Sequence, residues 1–194
     1  MIADKRIFAP RVVPAETWDR LWQIGELRSK QKEGYRSSEY LDPYSHQLGI
    51  IGEWTFGRLV GLKAAEDITP GGDLGFDFPG ADVKAAWRYR DPWLKVREEK
   101  VVDDIVFPLV AVDRDSRTVR YCGYADAALL RKYPVERLPL RSEFRTEITG
   151  KQRDSNLGPS SHVLKEKDLI RDLPPGFEFK LRTLQCSEGR SKEG

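Results

Sequence analysis

The chain has 194 residues with 33 basic and 31 acidic side chains, and the resulting net charge of +2 excludes a general polycation that coats nucleic acid. An apolar share of 39% and five tryptophans favour a folded globular protein over a disordered one. The two cysteines are far apart and predict free thiols rather than a disulfide framework or a zinc site. Without a run of apolar residues long enough for a membrane span, the chain is expected to be soluble and cytoplasmic.

The first third of the chain predicts two helices. Residues 1–14 contain two prolines and predict an irregular arm. Between Pro14 and Gly34, apolar residues recur at helical spacing, which predicts a helix with one buried face. Its tryptophans are expected to serve packing rather than ligand binding. A second helix, apolar on most sides, is predicted at 44–62 after a polar connector.

The second helix carries an acid among glycines. Gly49 and Gly57 lie one turn on either side of Glu53, and Gly52 is next to it. Each glycine lowers helix stability by about 1 kcal/mol relative to alanine. The glycines are therefore expected to leave space for the close approach of another backbone. An acid in such a helix must be paired, neutralised or bound to a metal. Glu53 is therefore a candidate site residue, and the alternative is an exposed glutamate on the helix rim.

Two further acids flank a predicted β-hairpin turn at Pro79-Gly80. A loop of four residues is favoured over one of two, because a trans Pro-Gly turn suits tight hairpins poorly. Either loop sets Asp77 opposite Asp82, with Cβ atoms roughly 4.5–5.5 Å apart. Strand alternation points Lys84 to the same face as Asp82. Asp73 competes with Asp77 as the first acid, although the spacing favours Asp77.

Opposed carboxylates repel unless a cation or a partner uses them. Magnesium takes oxygen ligands and is commonly held by one or two carboxylates plus phosphate oxygens. Lys84 beside such a site would orient or deprotonate a water, or stabilise charge on a phosphate. The alternative is a polar hairpin whose acids face solvent.

A local basic cluster follows the hairpin. The second hairpin strand is predicted to continue to Arg90, and a short strand to begin at Trp93. Cations interleaved with aromatic rings bind phosphates and stack on bases, whereas aromatics at alternate positions also occur in ordinary strand packing. The candidate nucleic-acid-binding residues are Arg88, Arg90, Trp93, Lys95 and Arg97.

The remaining elements follow from apolar patterning and turn signals. They are a buried central strand at 104–113, its hairpin partner at 118–124, a short helix at 125–133, a mobile polar loop within 136–160, a strand at 162–164, a single-turn or short helix at 165–173 and a disordered tail after 183.

The order of these elements resembles the core of the PD-(D/E)XK nuclease superfamily, in particular its small prokaryotic and phage members. In this core a helix carrying Glu53 comes first, Asp77 then ends a strand, and Asp82-Val83-Lys84 matches the (D/E)xK element. An apolar strand and a helix then follow. The resemblance covers about residues 45–133 and 162–173. Its further matches are Gly49-Ile-Ile-Gly-Glu53, Gly61-Leu62, Gly71-Gly-Asp-Leu-Gly-Phe-Asp77, Asp104-Ile-Val-Phe107 with Leu109-Val110, and Cys122-Gly-Tyr-Ala-Asp126.

This resemblance implies an α/β fold with a restriction-endonuclease-like core, a mixed four- to five-stranded sheet flanked by helices. It divides the chain into an arm and helix at 1–43, a nuclease-like domain at 44–183 and a tail at 184–194.

The resemblance also implies a magnesium-dependent DNA endonuclease, with manganese able to substitute. Asp77 and Asp82 would ligate the metal together with the carbonyl of Val83. Glu53 would hold a metal-bound water or a second metal, and Lys84 would position the attacking water. The rival functions are a junction-resolving or repair nuclease, usually a homodimer, and a non-catalytic nucleic-acid-binding module. An interaction domain with coincidental acids is the third rival.

Overall fold

The computed structural model of the protein describes residues 5–32, 44–62, 77–87, 89–139 and 157–178. The helices in these ranges are α1 (Ala15–Lys32), α2 (Ser45–Val60) and α3 (Ala127–Leu130). The strands are β1 (Arg11–Val12), β2 (Lys84–Ala86), β3 (Trp93–Arg97), β4 (Val106–Asp113), β5 (Thr118–Asp126), β6 (Val135–Pro139) and β7 (Leu157–Lys165). Short 3-10 turns lie at Lys5–Phe8, Glu98–Lys100 and Glu166–Asp168.

The strands form two sheets. Sheet A is four-stranded in the order β1-β5-β4-β2, and it is mixed because β2 runs parallel to β4 while the other pairs are antiparallel. Sheet B is three-stranded and antiparallel in the order β3-β7-β6. The predicted α/β class and mixed four-stranded sheet are thereby confirmed.

Sheet A lies between two layers. One face packs on α1 and α2 through residues such as Val110 and Tyr121. The opposite face packs on sheet B and α3 through residues such as Leu109 and Leu164. In the described part of the chain, helices therefore flank one face of the mixed sheet, and a second sheet covers most of the other. The sequence predicted one sheet flanked by helices and did not predict the second sheet, sheet B.

Both predicted long helices are present with nearly the predicted bounds. Trp18 is buried between α1 and α2, which confirms that it serves packing. Helix α2 is buried over most of its length, as its apolar sequence predicts. It ends at Gly61, whose φ of 70° is a left-handed cap that costs glycine no steric strain.

The predicted central strand and its partner are also confirmed. β4 lies between β5 and β2, and nearly all of its residues are buried. Pro108, which cannot donate to a strand ladder, precedes a register shift between Leu109 and Val110. The turn after β4 brings Arg117 to a φ of 52°, and the chain returns as β5.

Two local predictions are wrong. The arm predicted as irregular contains strand β1, because Arg11–Val12 pairs with β5, and Ile7 and Val13 beside it are buried. The ends of the predicted polar loop at 136–160 are strands β6 and β7, while residues 140–156 lie outside the described ranges. Of the two alternatives predicted at 165–173, a single turn or a short helix, the structure has the single turn, at Glu166–Asp168. Residues 179–194, which include the predicted tail, also lie outside the described ranges.

Cys122 is a free, buried thiol on β5. Burial in the apolar layer between the sheets raises the pKa of this thiol to about 12, partly offset by the nearby Arg120 cation. At neutral pH it is therefore protonated and serves as a small apolar residue, consistent with the predicted free thiol.

Gly25 allows α1 to approach α2 closely. Alanine usually stabilises a helix relative to glycine, but here it should destabilise the protein. A Cβ at Gly25 would lie 2.4 Å from the Cα of Gln47, so the two backbones would have to separate. We expect Gly25→Ala to lower the free energy of unfolding by about 1–3 kcal/mol in urea denaturation.

The control for this prediction is Gly49 in α2. A Cβ at Gly49 would meet only the Oε1 atom of Glu53, at an ordinary 3.8 Å. Gly49→Ala should therefore raise the free energy of unfolding by about 0.5–1 kcal/mol. A Gly25→Ala protein as stable as Gly49→Ala would contradict the close helix contact.

Candidate active site

The turn at Pro79-Gly80 organises the candidate site. Phe78 and Ala81 exchange two backbone hydrogen bonds of 3.0 Å, so the loop between them has two residues. The predicted four-residue loop is wrong. Gly80 takes a φ of 77°, the conformation that a Pro-Gly type II turn needs at its second central residue. This allows a trans proline to make the tight turn.

The first acid binds the backbone across this turn. Asp77 Oδ2 accepts a hydrogen bond of 2.6 Å from the backbone N–H of Val83. The carboxylate of Asp77 is thus held beside the segment that contains Asp82. Residues 71–76, which include the preceding predicted strand and Asp73, lie outside the described ranges.

The second acid and the lysine form an ion pair. Lys84 Nζ lies 2.6 Å from Asp82 Oδ2. The Asp82 side chain is 10% exposed and that of Lys84 is 30% exposed, so the pair is sheltered but reaches solvent at the lysine. The sequence predicted these two side chains on one face, and the structure brings them into contact.

Strand β2 is shorter than predicted. It ends at Ala86 rather than continuing to Arg90, because Tyr89 N–H turns back to the carbonyl of Trp87. β2 pairs in parallel with β4, with Lys84 level with Leu109. Among the described strands, the site therefore lies at the outer strand β2 of sheet A.

Glu53 is buried in α2, with 8% of its surface exposed, and pairs with α1. Arg28 Nη1 donates to Oε1 at 2.8 Å, and Nη2 donates to Oε2 at 3.3 Å. Of the three fates open to a buried acid, the structure shows pairing. Sequence reasoning missed Arg28. The available signal was its position seven residues after Leu21, on the buried stripe of α1.

Of the glycines in α2, Gly52 allows a close approach, to β2 rather than on the Glu53 face where the pattern predicts it. A Cβ at Gly52 would lie 2.8 Å from the Cβ of Ala85 on β2, so α2 rests directly on this strand. Val83 and Ala85 face the helices, and alternation turns Asp82 and Lys84 away from them. Glu53, directed at α1, and the Asp82–Lys84 pair therefore point in different directions.

The described residues contain no cluster of three acidic, histidine or cysteine side chains placed to hold one metal ion. Asp77 and Asp82 remain as two carboxylates at one turn. Glu53 has its own cationic partner. Beyond Asp77 and Asp82, the described side chains supply no further ligand at the turn, so water, backbone or substrate would add to these two.

The predicted nucleic-acid-binding residues on β3 share one surface. Leu94 and Val96 are buried against sheet A, so Trp93, Lys95 and Arg97 alternate onto the outer face of sheet B. Arg90 is exposed in the loop before β3, and the side chain of Arg88 lies outside the described residues.

Sequence reasoning missed a fourth member of this surface. Lys165 on β7 lies directly opposite Trp93 and is exposed. We call Trp93, Lys95, Arg97 and Lys165 the basic face. No sequence pattern predicts Lys165 on this surface, because only the pairing of β3 with β7, more than sixty residues later, brings it here.

Comparison with protein-family models, with curated proteins and with solved structures finds no match to this chain. Among the described residues, no helix combines the length and apolar character needed to cross a membrane.

Proposed function

We propose that the protein is a metal-dependent DNA endonuclease that hydrolyses phosphodiester bonds, with its centre at the Pro79-Gly80 turn. The observation that carries the proposal is the convergence of Asp77, Asp82 and Lys84 on this turn, with the lysine ammonium 2.6 Å from one carboxylate. The ammonium that reaches solvent, together with a cation held by the two acids, is suited to a polyanionic substrate.

The donor set at the turn fits magnesium in one specific way. Two carboxylates supply hard oxygen ligands, and magnesium is commonly bound by one or two carboxylates together with substrate phosphate oxygens. Asp77 and Asp82 would hold the ion, and the scissile phosphate would complete its shell. When bound, the metal would supply Lewis-acid stabilisation of charge on the phosphoryl group.

The side chains of the turn have distinct roles in this proposal. Lys84 neutralises Asp82 before substrate binds, and it then orients the attacking water or stabilises the negative charge that develops on phosphorus. Asp77 fixes the Val83 peptide through its hydrogen bond, which holds the two acids in register. Glu53 takes no part in proton transfer here. Its ion pair with Arg28 holds α2 to α1, and α2 in turn contacts Ala85 of β2 through Gly52.

DNA would be held by the basic face. Among the described strands, β2 and β3 are outer strands of their sheets, consecutive in the chain and in contact, so the turn and the basic face lie on adjacent strands. Its cations would contact backbone phosphates without reading sequence.

The finer fold assignment, a restriction-endonuclease-like core, is part of the same proposal. It is supported by the order of a helix with an acid, a turn with two acids, the Lys84 strand, the apolar β4 and a short helix. A homodimer acting as a junction-resolving or repair nuclease is a variant of this function with the same centre.

The second candidate function is a nucleic-acid-binding module without catalysis. The Arg28–Glu53 pair favours it, because this pair removes the third acid that the family resemblance assigns to the site. The two candidates share the basic face and differ in whether the turn performs chemistry.

The test is cleavage of supercoiled and linear plasmid with magnesium, manganese or EDTA. We expect nicking and linearisation with either metal and none with EDTA, since two carboxylates need a cation to bind a phosphate between them. DNA that is shifted on a gel but remains intact under every metal condition would establish the binding module. A protein that neither cuts nor binds any DNA form would overturn both candidates.

A further inference from the structure

Arg114, in the turn between β4 and β5, is held against two aromatic rings. Its Cζ atom lies 4.8 Å from the ring centroid of Trp22 and 4.9 Å from that of Tyr44. The rings come from α1 and from the residue that precedes α2, and their centroids are 5.5 Å apart. Trp87, just after β2, adds a third ring 6.3 Å from Trp22. Four separate segments thus converge around one exposed cation.

Stacking fixes this guanidinium without using its hydrogen-bond donors. In the described part of the chain, no carboxylate or carbonyl accepts a hydrogen bond from the Arg114 side chain, whereas the guanidinium groups of Arg28 and Arg120 are bound to buried or half-buried acids. Because the rings contact the guanidinium without accepting hydrogen bonds and Arg114 is exposed, its N–H donors remain accessible to a ligand. The neighbouring Asp113 already accepts from backbone N–H groups of its own turn.

A guanidinium held in this way is suited to a phosphate group. Its planar fork matches two phosphate oxygens, and these charge-assisted bonds are strong. The ring contacts already order this long side chain, so little further side-chain entropy is lost when a ligand binds. The rings of Trp22, Tyr44 and Trp87 in this group are uncharged, and Oδ1 of the adjacent Asp113 is occupied by backbone N–H groups of the turn.

The register of β2 with β4 gives the separation of Arg114 from Lys84 along the strand direction. β2 and β4 run parallel with Lys84 level with Leu109, and Arg114 follows Leu109 by five residues. At ~3.3 Å per residue, this is about 16 Å along the strand direction. With a rise of ~3.4 Å per nucleotide step, this length corresponds to about five nucleotides of duplex.

We propose that Arg114 is a phosphate anchor for the polynucleotide backbone, about five nucleotides from the phosphate at Lys84. The assignment rests on the proposed function, since it needs a nucleic-acid ligand at the turn. Trp22 and Tyr44 are positioning residues that hold the guanidinium.

The experiment compares Arg114→Gln with Arg117→Gln, which removes the same charge from the same turn but has no ring contact among the described residues. Binding of a fluorescently labelled 20-base-pair duplex is measured by anisotropy in EDTA at several salt concentrations. We expect Arg114→Gln to weaken binding roughly tenfold or more at low salt. Its slope of log K against log salt should fall by about 0.9, the value for one lost phosphate contact, while Arg117→Gln stays near wild type.

Two further variants separate charge from geometry. Arg114→Lys keeps the charge but loses the stacked fork, so it should retain the salt slope and lose part of the affinity. Tyr44→Leu should weaken binding in wild type and have little further effect in Arg114→Gln.

The outcomes separate this inference from the proposed function. Equal binding by Arg114→Gln and Arg117→Gln, in a wild type that binds or cuts DNA, overturns the anchor and leaves the nuclease standing. A wild type that binds no DNA overturns both. Complete displacement of the duplex by millimolar inorganic phosphate in wild type but not in Arg114→Gln would assign Arg114 to free phosphate and also overturn the anchor.

Discussion

Replacing Lys84 with alanine should lower the rate of metal-dependent DNA cleavage by roughly 10²–10⁴-fold, the usual loss when a positioned proton-transfer group is removed. Lys84 is the described cation in contact with the acids of the turn, 2.6 Å from Asp82. Its loss removes both the group that orients the water and the charge that stabilises the transition state. Single-turnover nicking of supercoiled plasmid, with enzyme in excess, measures the effect on chemistry directly.

Two controls keep this result interpretable. Lys84→Ala leaves the buried Asp82 without its cation and should also cost stability, so each variant's thermal unfolding is compared with wild type. Lys84→Arg restores the charge and should recover the stability. It should recover little of the activity, because the planar guanidinium of arginine cannot replace the compact ammonium of lysine as a donor. Lys132→Ala removes an exposed lysine elsewhere and should change neither. Cleavage by Lys84→Ala at more than a tenth of the wild-type rate would remove Lys84 from the chemistry.

Replacing Glu53 with glutamine should destabilise the protein by about 3–5 kcal/mol, because the guanidinium of Arg28 would remain buried without a counter-charge. Glu53 and Arg28 have side chains only 11% and 10% exposed, so solvent screens the lost attraction little. Urea unfolding followed by tryptophan fluorescence measures the change. The matched control is Glu99→Gln, which breaks an exposed pair with Arg97 and should cost less than about 1 kcal/mol.

The same variants distinguish a structural Glu53 from a catalytic one. The double variant Arg28→Met with Glu53→Leu removes both charges and should recover most of the lost stability. It should also recover cleavage if Glu53 acts through packing. A Glu53→Gln protein of wild-type stability that no longer cuts DNA would contradict the structural role and return the acid to the metal site.

The elements that sequence reasoning located are those whose burial follows from their own pattern. The 3.6-residue period predicts α1, and the nearly unbroken apolar run predicts α2 and β4. β5 follows because it is linked to β4 by a short turn. In these cases the neighbours in the chain are also the neighbours in space.

Sheet B and the docked arm depend on distant partners, and their sequences carry little signal. β6 reads Val-Glu-Arg-Leu-Pro, a polar stretch that becomes a strand only beside β7. Two residues, Arg11 and Val12, form a strand because β5 offers an open edge. Propensity within a short window cannot report on pairing of this kind.

The candidate site likewise contains contacts that the sequence predicts and contacts that it does not. The Asp82–Lys84 contact follows from strand alternation over three residues, so the sequence predicts it. The tight turn was not predicted, because a left-handed Gly80 makes possible what a trans proline alone disfavours. The partners Arg28, Lys165 and Arg114 come from other elements, and only the packing of α1, β7 and the turn after β4 reveals them.

The pairing of β3 with β7 has a consequence for synthesis of the chain on the ribosome. Arg97 pairs with Ser161, which is made about 60 residues later, or some 3–12 s at translation rates of ~5–20 residues per second. During this interval Leu94 and Val96, the apolar inner side of β3, have no β7 to pair with. The nascent chain is therefore most prone to aggregate after β5 has been made and before β7 emerges. Keeping the nascent chain away from other unfolded chains matters most during this interval.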